Sequence, residues 1–228
     1  MGIILAPSSF KRMGRWLYTC MGSMIVPAVI AGNPSELVEL LSRLRGIASR
    51  VMLDFMDGEF VSGTSLQFDL HLPEGFSYEA HLMVRRPLSY LARLTGRVET
   101  VILHIESLDD IGRAVVSSRG AGFKVMLAIS PGTPVEFVAP YLREIDGVLI
   151  MTVEPGKYGA DFLPWTLDKV RALKMMDDHV TIEVDGGMNP DNARAAREAG
   201  ANIFASGSYI ISSKDIGRAF RELEEATS

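Results

Sequence analysis

The first chemically suggestive feature of this sequence is a pair of carboxylates delivered by an apolar run. Residues 51–61 read VMLDFMDGEFV, in which Asp54 and Asp57 are separated by Phe55 and Met56 and followed by Gly58. A strand buried on both faces reads as continuous apolar sequence, so an acid at its C-terminal end needs a partner, a cation or a substrate to offset its desolvation. Other ionisable residues end similar runs: His81 in YEAHLMV, His104 and Glu106 in ILHIE, Glu154 beyond VLIMTV, and Glu183 and Asp185 in IEVD. Ser130, Thr152, Ser206 and Ser208 hold equivalent places. Two carboxylates and a histidine brought to one face could converge on one substrate or one divalent cation. His104, enclosed by apolar neighbours, reads as a buried histidine with satisfied hydrogen bonds rather than a ligand. Asp57 fits catalysis and loop structure equally.

Such residues need a scaffold that gathers strand ends. From Met24 onward, apolar runs alternate with amphipathic helical patterns. MIVPAVI leads to NPSELVELLSRLRG, where Asn33 can cap, Pro34 suits the first helical position and Glu36 completes a capping box. Helices are also expected in PLSYLARLTG, LDDIGRAVVSSRGAG, the Pro-started PVEFVAPYLREI, WTLDKVRALKMM, NPDNARAAREAG and KDIGRAFRELEEA. Eight strand-like runs, each followed by a helix-length segment, predict an α/β fold, a single (β/α)8 TIM barrel whose active site lies at the C-terminal ends of the strands. No G-x-G-x-x-G follows the first run, which disfavours an open doubly wound sheet. No linker or low-complexity tract divides the chain, so residues 24–228 are expected to form one domain.

Three glycine-bearing loops fall in the last units: EPGKYGADF, VDGGMNPDN and SGS. Barrels commonly hold phosphate on the loops after strands seven and eight, where backbone N–H groups face the anion. Gly186, Gly187, Gly207 and Ser208 fit that description, which makes a phosphorylated small molecule the favoured substrate.

The chain has 228 residues, 47% hydrophobic and 22% charged, with a formal net charge of -5. Scattered Lys and Arg give no footprint for nucleic acid or for an anionic membrane surface. No apolar run reaches the roughly 20 residues of a membrane helix. Cys20 is the only cysteine, which suits a reducing, cytoplasmic setting. Lys11, Arg12 and Arg15 before WLYTCMGSMIVPAVIA imitate a weak signal peptide, but MIVPAVI is needed as the first strand. Residues 1–23 are therefore expected to be a poorly ordered extension.

Taken in order, LDFMDGEFV, EAHLMV, ILHIES, SPGTPVE, VLIMTVEPG, IEVDGGMNPDN and GANIFASGS resemble the ribulose-phosphate 3-epimerases across residues 24–212. The resemblance implies a ribulose-phosphate-binding barrel that interconverts D-ribulose 5-phosphate and D-xylulose 5-phosphate through an enediolate. It implies that Asp54 and Asp185 exchange the C3 proton on opposite faces of the substrate. It implies a divalent metal, zinc or iron, with Asp54, His81 and Asp185 as three of four ligands. Met56, Met83 and Met151 match the thioethers around the enediolate, and Gly156 and Gly159 belong to the first phosphate loop. A homo-oligomer is implied as well.

The departures are as informative. Met52 stands where the fourth ligand, a histidine, is expected, and thioether is a poor substitute for imidazole on zinc. Ala28 replaces a serine beside the substrate. The family's P-G-F-G-G-Q loop is here Pro155, Gly156, Lys157, Tyr158, Gly159 and Ala160, in which Lys157 adds a charge able to meet phosphate. Two other readings therefore stand beside the epimerase: an enzyme for another ketose phosphate, and a phosphosugar-binding relative without turnover. Met56 occupies the position of the lysine used by related decarboxylating barrels, which disfavours that chemistry.

Overall fold

The structure, a computed structural model, describes residues 23–156 and 159–228. Eight parallel strands close into a barrel: β1 (Met24–Val29), β2 (Arg50–Asp57), β4 (Ser77–Met83), β5 (Thr100–His104), β6 (Lys124–Ile129), β7 (Gly147–Met151), β8 (Ile182–Asp185) and β9 (Ile203–Ser206). β1 pairs with both β9 and β2, and so completes the ring. The joint with β2 is short, carrying only the pairs Ala28 with Met52 and Val29 with Leu53. By contrast β2 and β4 stay in register from Arg50 and Ser77 to Met56 and Met83. The expected (β/α)8 barrel is therefore the observed one. The segment assigned to the N-terminal extension lies outside the described residues, apart from Ser23.

Apolar residues sort into two layers because successive strand residues point to opposite faces. One set, including Leu53, Phe55, Leu82, Leu103 and Phe204, packs outward against the helices. The other, including Val26, Met52, Ile102, Met126 and Leu149, fills the barrel. The interior is thus a packed core with chemistry only at its upper end.

Helix α1 (Pro34–Leu44) starts as its sequence dictates. The Asn33 side chain accepts from the Glu36 N–H at 3.0 Å, and the Glu36 carboxylate accepts from the Gly32 N–H at 2.7 Å. Helix α5 (Pro190–Ala199) repeats the device with Asn189 and ends at Gly200, whose φ of 113° needs glycine. Helices α3 (Ile111–Gly120) and α4 (Leu167–Met176) also fall within their predicted segments; a single turn, α6 (Ser208–Ile211), follows β9, and α7 (Ile216–Thr227) runs one residue past its predicted end at Ala226.

Three segments depart from expectation. PVEFVAPYLREI forms two 3-10 turns, Val135–Phe137 and Ala139–Tyr141, because Pro140 has no N–H to give and its ring opposes a continuous α-helix. PLSYLARLTG is a 3-10 turn at Pro87–Tyr90 followed by one helical turn, α2 (Leu91–Leu94). The loop after β2 contains a two-residue strand, β3 (Thr64–Ser65), antiparallel to Met56 and Asp57. Leu66 follows at φ 55°, fully buried, a conformation costly for a branched side chain. Its N–H donates to Ala31 at 3.0 Å and its carbonyl accepts from Arg93, which pins this loop beside the barrel mouth.

Candidate active site

Asp54, His81 and Asp185 meet at the upper end of the barrel. Asp54 stands on β2, and His81 is its register partner on β4. Asp185 ends β8, three strands from β2 in the other direction around the wall. All three are buried, with His81 fully so. His81 Nδ1 lies 3.0 Å from Asp54 Oδ1 and 3.5 Å from Asp185 Oδ2.

Burial controls the charges of this cluster. It pushes the Asp54 carboxyl up to about 7, against a lowering by His104. Asp185 also reaches about 7, through burial first and then the neighbouring Asp54 charge, with His81 opposing. The Asp54 charge thus contributes to the rise at Asp185. Burial lowers the pKa values of His81 and His104, so both imidazoles favour the neutral form.

The remaining predicted residues fall where the pocket needs them. Met56, Met83 and Met151 line the cavity above the acids, and so do Gly156, Gly159, Gly186, Gly187, Gly207 and Ser208. Lys157 and Tyr158 lie outside the described residues. Gly186 has φ 113°, and a Cβ there would come within 2.3 Å of Val153 Cγ2. The Thr152 hydroxyl donates to the carbonyls of Asp185 and Gly186, at 2.9 and 2.6 Å, and so holds the end of β8 in place. Val61, on the loop after β2, abuts Gly156 across the mouth.

Asp57 is separate from this cluster. Its carboxylate accepts from the N–H groups of Glu59, Phe60 and Arg85 at 2.9, 2.9 and 2.6 Å. Burial alone would raise its pKa, but these donors, led by Phe60 and Arg85, outweigh it and hold the group ionised. Of its two sequence readings, the loop role is the one the geometry favours. His104 is buried and partnered on both nitrogens, as its apolar surroundings implied.

In the layer beneath, sequence reasoning named Met52 and Glu183 but missed Glu79. Two residues before His81 lies Glu79, two before Asp185 lies Glu183, and two before Asp54 lies Met52. On strands these share the inward face, so a simple alternation along each strand would have found Glu79 too. Both glutamates are buried. No carboxyl oxygen of either has a hydrogen-bond partner of ordinary geometry among the described residues. Arg50 Nη1 lies 3.7 Å from Glu79 Oε2. Burial, then the Glu79 charge, raise the Glu183 pKa well above the usual carboxylate range, and burial raises Glu79.

The upper cluster suits a divalent cation. Asp54, His81 and Asp185 offer two carboxylate oxygens and one imidazole nitrogen within 4.8 Å of one another. Oxygen and imidazole donors in that number match a three-ligand site with an open position. Met52 is fully buried one step below, between Ala28 and Glu79 in register, and brings only a thioether to the fourth place.

A closed parallel barrel with ionisable side chains buried together at its C-terminal mouth defines an α/β barrel protein with a candidate active site at that end. The profile described as Ribulose-phosphate 3 epimerase family matches residues 24–211. A ribulose-phosphate 3-epimerase of Schizosaccharomyces pombe is 31% identical over 196 residues, covering 82% of this chain and 86% of the relative. The cytoplasmic isoform of Oryza sativa subsp. japonica is 32% identical over 212 residues, covering 89% and 93%. Among solved structures, KGPDC from Streptococcus mutans superposes with a TM-score of 0.67 at 11% identity, covering 91% of this chain and 98% of that one, a likeness of fold alone. The chain belongs to the ribulose-phosphate 3-epimerase family, and it is an isomerase-class enzyme.

Proposed function

We propose that this enzyme epimerises C3 of a ketopentose phosphate, interconverting D-ribulose 5-phosphate and D-xylulose 5-phosphate. The observation that carries the reading is the pair of buried carboxyls, Asp54 and Asp185, both raised to about 7. A base and an acid are most effective when their pKa values lie near the working pH. One carboxylate removes the C3 proton from one face; the other, protonated, returns one to the opposite face through an enediolate. Met56, Met83 and Met151 form an apolar, polarizable wall that excludes water from that intermediate. Gly186, Gly187, Gly207 and Ser208, with Gly156 and Gly159 opposite, offer backbone donors to the phosphate.

Asp54, His81 and Asp185 would hold a zinc or iron ion. When bound, such an ion supplies fixed positive charge against the negative charge that develops at the C2 oxygen. Residues 24–228 act as one catalytic unit, and the protein works as a homo-oligomer in the cytoplasm. The single cysteine and the cytoplasmic rice relative support that location. Ala28, which leaves no hydroxyl at the β1 wall of the pocket, favours another ketose phosphate as the second reading.

The test is incubation of purified protein with D-ribulose 5-phosphate in deuterated water, with and without chelator. Deuterium at C3 and formation of D-xylulose 5-phosphate are expected, with a loss on chelation that zinc or iron restores. Binding without exchange would sink the catalytic reading in favour of a phosphosugar-binding protein, and faster exchange of a different ketose phosphate would favour the second reading.

A further inference from the structure

Four consecutive carbonyls at the end of β8 and in the loop after it are each held by a donor from another part of the barrel. The Asp185 carbonyl accepts from the Thr152 N–H at 2.7 Å. The Thr152 hydroxyl lies 2.6 Å from the Gly186 carbonyl and 2.9 Å from that of Asp185. A hydroxyl has one hydrogen, and the Asp185 carbonyl already has a backbone donor, so the shorter contact to Gly186 takes it. The Gly187 carbonyl accepts from the Asn192 side-chain amide at 2.7 Å, and the Met188 carbonyl from the Ser206 hydroxyl at 2.8 Å. Thr152 directly follows β7 and Ser206 ends β9, both buried, while Asn192 stands in the first turn of α5.

In a planar trans peptide the C=O of one residue and the N–H of the next point in opposite directions. Holding the carbonyls of Asp185, Gly186 and Gly187 therefore sets the N–H directions of Gly186, Gly187 and Met188. Successive carbonyls of an extended strand alternate sides, yet those of Asp185 and Gly186 both meet Thr152. Positive φ at Gly186 and Gly187, 113° and 67°, accompanies this break in alternation. The N–H groups of Gly186 and Gly187 accordingly point the same way, with their backs to Thr152. Among the described residues nothing accepts from the N–H of Gly186, Gly187 or Met188, and all three residues line the cavity. Successive free N–H groups in such a turn make a concave site for an anion.

We propose that Thr152, Asn192 and Ser206 are positioning residues for substrate binding, which turn the N–H groups of Gly186, Gly187 and Met188 into the mouth by holding the carbonyls of residues 185–188 away from it. Glycine populates both signs of φ about equally, so two adjacent glycines leave each peptide free to present either its N–H or its carbonyl to the cavity. The three side chains remove that freedom, because a flipped peptide would strand its carbonyl without the donor it now has. The wall then offers donors only, which suits phosphate oxygens, and its ordering is complete before the ligand arrives. The inference rests on the reading of these loops as the phosphate site and adds the side chains that shape its donors.

The test is a titration of 15N-labelled protein with inorganic phosphate, followed at the amides of Gly186, Gly187 and Met188. In wild type all three should move downfield as they donate. Thr152→Val keeps the side-chain shape and removes the hydroxyl, Ser206→Ala does the same for the Met188 carbonyl, and Asn192→Ala removes a donor from a half-buried position on α5. Each should weaken phosphate binding by about 5–100-fold, the effect of leaving an acceptor without its partner. Thr152→Ser restores the hydroxyl and should bind within about twofold of wild type, a rescue that general loosening of the barrel would not give. Wild-type amides that stay unmoved at saturating phosphate would overturn the proposal. So would Thr152→Val and Asn192→Ala proteins that bind phosphate within about twofold of wild type; if Thr152→Val does not fold, Asn192→Ala decides alone. Phosphate binding needs no turnover. Absent C3 exchange in a protein whose phosphate affinity responds as expected would count against the epimerase reading alone, whereas normal exchange with unaltered phosphate affinity in the variants would sink the positioning role and leave that reading standing.

Discussion

Asp54 and Asp185 have the same residue type, yet their neighbours make them distinct from the ordinary surface acid. Asp57, three residues from Asp54 on the same run, shows the contrast: backbone donors hold it ionised, while burial lifts Asp54 to about 7. Under the proposed two-base mechanism, replacing either acid of the pair removes one face of proton transfer. Asp54→Asn and Asp185→Asn should each cut C3 exchange by about 10²–10⁴-fold while phosphosugar binding stays measurable by calorimetry. Exchange at the wild-type rate in either variant would refute the two-base assignment. Met52 carries the second residue-scale prediction. Met52→His should tighten zinc binding by roughly 10-fold or more, read as metal retained after dialysis; unchanged retention would mean that the side chain at this position cannot reach the cluster. The sequence displayed Asp54, His81 and Asp185 openly, since each ends an apolar run. It hid their mutual distances, because β2, β4 and β8 come together only when the ring closes.

At the scale of elements, glycine separates local need from loop habit. Gly186 sits at φ 113° with Val153 filling the space a side chain would take, whereas Gly159 has φ 72° and open space around it. Gly186→Ala should therefore cost about 1–3 kcal/mol in overpacking, beyond about 1–3 kcal/mol in backbone strain. Gly159→Ala should show the strain alone. Urea unfolding of the two variants checks the difference, and equal losses would remove Val153 from the account. The capped helices α1 and α5 were legible because Asn-Pro starts are written in local chemistry. PVEFVAPYLREI was not, because helical periodicity masked the interruption at Pro140. The strand pair of β3 with β2 was hidden for a different reason: two residues give no period to read.

On the scale of the whole molecule, the barrel interior holds four buried carboxyls with raised pKa values: Asp54, Glu79, Glu183 and Asp185. An acid whose folded pKa lies above its unfolded value contributes stability that is fully present below the unfolded value and lost as pH rises through the folded one. For Asp54 and Asp185 the loss runs from the ordinary 3.8 up through about 7. For Glu79 and Glu183 it begins above 4.5. Metal-free protein should thus melt at a lower temperature at pH 8 than at pH 5, and Glu183→Gln should raise the melting temperature at pH 8 while flattening that slope. A Glu183→Gln protein with an undiminished slope would show that the lower glutamates do not contribute to it. Legibility at this scale was high for the architecture, since eight alternating units admit few closures. It was low for Glu79, which lies mid-strand where an acid announces no site.

The ring is unevenly sewn. Only Ala28 with Met52 and Val29 with Leu53 join β1 to β2, whereas seven consecutive pairs join β2 to β4. Asp54 and Asp185 stand on either side of that thin seam, with β1 and β9 between them. Whatever both carboxyls grip therefore spans the gap like a buckle on a strap, so that filling the mouth also helps to keep the hoop shut.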